Sequence, residues 1–206
     1  MSSQKSMATA LEPKRRRGQL RVAAIMDAGV ATFIDKGYEA ATMTEIAARS
    51  NTAIGSLYRF FPTKEALAEA ILARYRDHME HALDEIAVRA PKLSALSLAD
   101  ALVDFMLDRR TERAAAVALV DARSDAADKR MMLRNAVRER LATILVAAAK
   151  TLPRREAEPM SAVLLSLLKI ASQFARENED DTAVLVAEAR EVVRFYVARA
   201  LNGCAG

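Results

Sequence analysis

Residues 42–61, Thr-Met-Thr-Glu-Ile-Ala-Ala-Arg-Ser-Asn-Thr-Ala-Ile-Gly-Ser-Leu-Tyr-Arg-Phe-Phe, constrain this chain more than any other stretch. They spell two short helices with a tight turn between them. Thr42 and Glu45 have the spacing of a capping box, in which the hydroxyl meets an exposed helical N–H and the carboxylate reaches back to the cap. Ile46, Ala47 and Ala48 then give a short helix with a small, partly apolar face. Ser50-Asn51 breaks it, because asparagine tolerates the left-handed backbone that such a turn demands. Thr52 is placed to cap a second helix running to about Arg59. Pro62 stops that helix, since the residue before a proline is pushed out of the helical region, and Thr63 is placed to cap the next one from Lys64. Two short helices joined by a turn of about three residues form a helix-turn-helix, whose second helix lies in a DNA major groove. A generic helical hairpin is the alternative, and Gly55 weighs against it. A glycine inside a helix costs about 1 kcal/mol relative to alanine, and a small residue there suits close approach to something large. Ser56, Tyr58, Arg59 and Lys64 supply the hydroxyls and cations that grip phosphates and read bases.

Around this stretch, residues 18–75 resemble the DNA-binding domain of the TetR family of bacterial transcriptional regulators. The matching residues are Ile25, Ala28, Phe33, Gly37-Tyr38, Thr42, Ile46-Ala47, Gly55, Leu57-Tyr58, Phe61, Lys64 and Leu67. Three positions depart from the family pattern: Asn51 stands where glycine is usual, Ala53 where serine often caps, and Phe60 where histidine is common. The resemblance implies an all-α protein of about nine helices. An N-terminal three-helix helix-turn-helix domain would precede a C-terminal helical bundle for ligand binding and dimerisation. It also implies a transcriptional regulator, expected to be a repressor, released from a double-stranded DNA operator by a small, largely apolar effector whose identity is not written in the chain. The residues expected at DNA are Arg17, Thr42, Thr44, Ile54, Gly55, Ser56, Tyr58, Arg59 and Lys64. By family position, Thr42, Tyr58 and Lys64 grip phosphates. Ser56 and Arg59 are the candidates for base edges, with Ile54 available for a thymine methyl.

Charge distribution supports a nucleic-acid partner. Through Lys64 the chain holds ten of its 31 Lys and Arg against five of its 27 Asp and Glu, so the positive excess sits in the first third. A basic segment beside a neutral body is the footprint of phosphate binding. Residues 1–13 are small and polar without a period, and Lys14-Arg15-Arg16-Arg17 follows, so residues 1–17 are expected to be a disordered basic arm touching phosphates or the adjacent minor groove. No apolar run is long enough to span a membrane, and no signal peptide precedes the domain. A single cysteine, Cys204, suits the cytoplasm.

From about Gln19 to Lys36 the spacing of Val22, Ile25, Gly29 and Phe33 predicts a helix with one buried stripe, with Gly37 just past its end and Tyr38 packed beneath the unit. The helix-turn-helix domain is therefore set at 18–63, a connecting helix at 64–90, and the effector and dimerisation domain at 91–206. Helices are expected over about 98–109, 112–123, 126–151, 157–177 and 181–201. Phe105, Met106, Met131, Met132, Phe174 and Tyr196 are candidates for lining a pocket, and equally for plain core. Met160, Val163, Leu164, Leu167, Val192 and Tyr196, on the last two helices, are the candidates for a two-fold interface with a second copy. Enzymatic chemistry finds no support. There is no phosphate loop, nucleophile elbow or metal-ligand cluster, and His78 and His81 read as a polar rim. No cofactor is expected. Glu179-Asp180-Asp181, Asp121, Asp125 and Asp128 read as caps near helix junctions. A ligand-insensitive DNA binder or a helical adaptor is the competing function.

Overall fold

The computed structural model of the chain describes residues 11–108, 110–122, 126–149, 151–175 and 182–202, with 11–15 and 110 by backbone alone. Residues 1–10, Asp125, Glu179-Asp180-Asp181 and Cys204 lie outside the described residues, as do the side chains of Lys14 and Arg15. Among the described residues there are nine α-helices: α1 Leu11–Ala40, α2 Met43–Arg49, α3 Ile54–Phe60, α4 Lys64–Arg89, α5 Ala95–Asp108, α6 Arg110–Asp121, α7 Ala126–Ala148, α8 Arg154–Phe174 and α9 Thr182–Asn202. The residues between them that are described include one short 3₁₀ turn, Ala90–Lys92, at Pro91. The all-α expectation is met helix by helix.

The chain forms two compact units. The first takes the chain up to Arg74 and returns for the second half of α6, from Ala114. Its core is closed by Ile25, Phe33, Ile46, Leu57, Leu67 and Ile71, each almost fully buried, with Ala115 and Leu119 of α6 packed into the same cluster. Gly29 makes the α1–α4 contact possible. A Cβ there would lie 3.0 Å from Ile71 Cδ1 and 3.3 Å from Leu67 Cδ2, so a larger residue would force the helices apart. The second unit takes Tyr75–Arg113 and the chain after α6. Its core draws on Leu83 and Ile86 of α4, Leu98 and Leu102 of α5, Leu141, Ile144 and Leu145 of α7, Leu164 and Leu168 of α8, and Val193 and Val197 of α9. That α6 divides between the two units has no signature in its sequence, since Ala116, Leu119 and Val120 form one ordinary apolar stripe.

Helix ends follow local chemistry. Gly37 adopts φ 79°, ψ 163° and interrupts α1 after Lys36, where the sequence places its end. Asn51 takes the left-handed backbone at φ 48°. Thr42 and Glu45 form the full capping box, and Ala66 N–H donates to Thr63 Oγ1 at 3.1 Å. Two ends differ from expectation. Ala53, not Thr52, is the cap residue of α3 and offers no side-chain cap; the Thr52 hydroxyl instead donates to Ser50 O within the turn. The helix expected from Gln19 begins at Leu11, so Arg17 belongs to α1 rather than to a disordered arm. Pro13 falls in its first turn, where a missing N–H is not missed, and Gly18 alone does not stop a helix.

In the second unit, α9 is tied to α5 by charge. Arg194 makes a paired contact with Asp100, Nε to Oδ1 and a terminal N–H to Oδ2, both at 2.8 Å. Arg190 spans Asp100 and Asp104 at 3.2 and 2.6 Å. Donation from Arg194 holds the Asp100 carboxyl below its usual range. Such two-pronged guanidinium–carboxylate contacts fix geometry as well as adding stability.

Candidate nucleic-acid interface

The expected DNA-contacting residues all lie in the first unit. Five of them face outward on or beside the two short helices. Thr44 is exposed on α2 and Arg59 on α3. Ile54 is 41% exposed and Tyr58 47%, although both are large apolar or aromatic groups. Gly55 is exposed, and a Cβ built on it meets nothing within 4 Å. No neighbour inside the protein requires a glycine there, yet the helix bears the cost of one. Leu57 is the single fully buried residue of α3 and pins the helix to the core. Arg59 lies 5.2 Å from the centre of the Phe60 ring, so the aromatic residue at this position props the guanidinium. Arg17 is exposed on α1.

Three other candidates have partners or burial within the protein. Lys64 Nζ donates to the carbonyls of Tyr38, Glu39 and Ala41 at 2.8, 3.0 and 3.2 Å. It also sits 4.6 Å from the centre of the Tyr38 ring. An ammonium has three N–H donors, and in this arrangement the three carbonyls take them, so that Lys64 closes the turn after Gly37. Thr42 spends its hydroxyl and its N–H on Glu45. Glu45 in turn takes a close contact from Lys36, and that contact with the Thr42 bonds keeps its carboxyl below the usual range. Ser56 Oγ is buried, with no hydrogen-bond partner among the described residues. Tyr38 does pack beneath the unit as expected, 5.5 Å from Phe33 ring to ring.

The role of Lys64 has a measurable consequence. Lys64→Met keeps the stem and removes the charge-assisted donors from three carbonyls. It is expected to destabilise the chain by about 1–2 kcal/mol, the scale of a lost hydrogen bond to a charged group at a partly wetted site. Urea unfolding of the full chain followed by circular dichroism checks this. A variant as stable as the parent would show that the three carbonyl contacts do not hold the turn.

In the second unit the pocket candidates scatter. Met106 is buried and accepts a contact from Arg113 at its sulfur, 3.5 Å away. Tyr196 packs on the core and donates to Met160 O at 3.3 Å. Phe174 is half-buried, whereas Met131 and Met132 are exposed. Of the six, Phe105 alone borders a described groove, one of about 760 Å³ among α4, α5 and α6. That groove is rich in carboxylates, with Glu85, Asp104, Asp108 and Glu112 beside Arg89. His78 faces Glu112 and His81 faces Glu85, each at 3.4 Å. Among the described residues no group of three or more His, Cys, Asp or Glu is placed to hold a metal. No helix among them is long and apolar enough to cross a membrane.

The interface candidates divide too. Val163 and Val192 are exposed, and Met160, Leu167 and Tyr196 are half-buried. Leu164 is fully buried in its own subunit's core and is not available to a second copy. Ile170, Val184 and Phe195, which are not among the interface candidates, are exposed on α8 and α9, Phe195 at 75%. The signal was present. On α9 the buried residues Ala189, Val193, Val197 and Ala200 form one stripe, and Val184, Val192 and Phe195 are apolar outside it. A helix apolar on more than one side has more than one surface to cover.

Known proteins are similar to this chain in its first third by sequence and along most of its length by fold. Residues 25–71 match the family described as bacterial regulatory proteins, tetR family. An HTH-type transcriptional repressor, KstR, of Mycolicibacterium smegmatis is 38% identical over 64 residues, 31% of this chain and 31% of that protein. An HTH-type transcriptional activator, FasR, of the same organism is 42% identical over 64 residues, 31% of this chain and 27% of that protein. The sequence match thus spans less than a third of these relatives' own length. A crystal structure of a transcriptional regulator (TerR/AcrR family) from Aquifex aeolicus superimposes with a TM-score of 0.67 at 19% identity, covering 85% of this chain and 98% of that one.

Proposed function

We propose, from the match of residues 25–71 to the tetR family of bacterial regulatory proteins and the likeness of the same stretch to a transcriptional repressor, that the chain is a dimeric, sequence-specific DNA-binding transcriptional regulator, acting as a repressor that a small molecule releases from its operator. The observation that carries the reading is the outer face of α3. A glycine that nothing inside the protein requires sits between exposed Ile54 and exposed Tyr58 and Arg59. Such a face costs stability and is useful only against a large partner. Arg17, Thr44, Tyr58 and Arg59 remain as polar and cationic contacts. Tyr58 and Arg17 grip phosphates and Arg59 reads a base edge or an adjacent phosphate. Lys64 and Thr42 act through the backbone they hold. Gly55 lets α3 approach the duplex closely.

Pairing of two copies through α8 and α9 presents two α3 helices to successive major grooves, which is how a short reading helix reaches useful specificity. The exposed apolar residues Val163, Ile170, Val192 and Phe195 support that pairing. The effector binds in the second unit, and α4, which runs from one unit into the other, carries the signal to α3. An effector that favours the non-binding arrangement by about 1–3 kcal/mol suffices for a switch of 5- to 150-fold.

Salt tests the reading. With about four cationic phosphate contacts across the dimer, Arg17 and Arg59 of each copy, affinity for a duplex is expected to fall roughly 10²-fold between 50 and 200 mM salt. Fluorescence anisotropy on a selected operator measures it. Binding insensitive to salt, or none, would favour the helical adaptor instead.

A further inference from the structure

Resting on the proposed role of α3 as the DNA reader, we infer that its first turn selects thymine by the C5-methyl group rather than by hydrogen bonds to base edges. In a helix-turn-helix the opening residues of the second helix are those that reach the bases. Here they are Ala53, Ile54 and Gly55, all exposed and none carrying a side-chain donor or acceptor. The next residue, Ser56, has a hydroxyl, but its Oγ is buried and turned away from solvent. Tyr58 and Arg59 belong to the following turn. The opening turn therefore offers the major groove one large branched hydrocarbon, Ile54, with a small residue on either side.

On the floor of that groove the single apolar feature is the methyl of thymine; the edges of G·C pairs present only acceptors and a donor. Set against guanine or cytosine, Ile54 would strip water from those groups and return no hydrogen bond, which is the costly case. Set against thymine, it buries a methyl. The exposed glycine beside it matters for the same reason, because a hydrocarbon contact gains only at close range. A Cβ built on Gly55 would meet nothing within 4 Å, so the space beside Ile54 at that position is open. The chemistry thus rejects G·C and favours an A·T pair with its thymine toward α3, once in each half-site.

The test uses the full chain and an operator recovered from a randomised duplex pool. Each thymine is replaced singly by deoxyuridine, which removes the methyl and leaves the pairing and the hydrogen-bonding pattern intact. At one or two positions per half-site, affinity is expected to fall roughly 3- to 10-fold, the scale of a buried methyl group. For Ile54→Ala the thymine-to-uracil ratio at those positions is expected to approach one, while its salt dependence and its melting midpoint stay those of the parent. Salt-steep operator binding with no position sensitive to uracil would overturn the inference and leave the DNA-binding role standing. So would uracil sensitivity that persists in Ile54→Ala. Absence of salt-dependent duplex binding would remove the proposed function and this inference with it.

Discussion

Replacing Phe195 and Val163 together by glutamate is expected to leave a folded monomer that binds its operator roughly 10²–10⁴-fold more weakly, the gain ordinarily supplied by linking two binding modules. The argument starts from exposure. Phe195 is 75% and Val163 47% exposed, so neither side chain supports the subunit's own core. Unfolding by the double substitution is therefore not expected. Placed in an apolar contact between two copies, four carboxylates would each need a partner that is not there. The operator is then read by one α3 at a time, and the second recognition helix no longer binds as an intramolecular event. Sedimentation analysis separates the parts of the claim. A variant that remains dimeric would move the interface away from these helices. A clean monomer with undiminished affinity would show that pairing is not what gives the reading helix its strength. Leu164 is the contrasting position: fully buried in the subunit, its replacement by glutamate is expected to unfold the chain.

Much of the fold was legible because helix chemistry is local. The stripe at Val22, Ile25, Gly29 and Phe33, the box at Thr42 and Glu45, the left-handed turn at Asn51 and the cap at Thr63 each involve residues within one or two turns of one another. Expectations failed where an outcome depended on residues far along the chain. Lys64 looks like a surface cation beside the reading helix, and nothing near it in sequence shows that three carbonyls 23 to 26 residues earlier take all its donors. Ser56 looks like a polar group on a polar helix, yet its rotation relative to Leu57 and the core turns the hydroxyl inward. Met131 and Met132 sit on an apolar pattern that carries them out to solvent. The apolar residues Met160, Val163, Leu164 and Leu167 mark a helix at α8, but spacing does not say which stripe meets the chain's own core. Leu164 went inward while Val163 and Ile170 stayed out. Two apolar stripes one residue apart look the same as one broad stripe until the neighbouring helices are in place.

Gly55 allows a prediction whose two halves have opposite sign. Leucine is a strong helix former, and the site is exposed with nothing inside the protein for a side chain to strike. Gly55→Leu is therefore expected to raise the urea midpoint, by about 0.5–1 kcal/mol of stability. The same side chain stands between α3 and the floor of the groove. A misfit at one recognition position costs about 1–3 kcal/mol, and a two-fold dimer meets it twice, so operator binding is expected to fall roughly 10²-fold or more. An ordinary structural defect would lower stability and binding together; an inert surface position would change neither. Gly55→Ala should gain at least as much stability as the leucine variant and lose less of the affinity. Equilibrium unfolding and anisotropy titrations on the same preparations read both quantities. If the leucine variant binds the operator as tightly as the parent, α3 does not press into the duplex and the glycine must answer to something else.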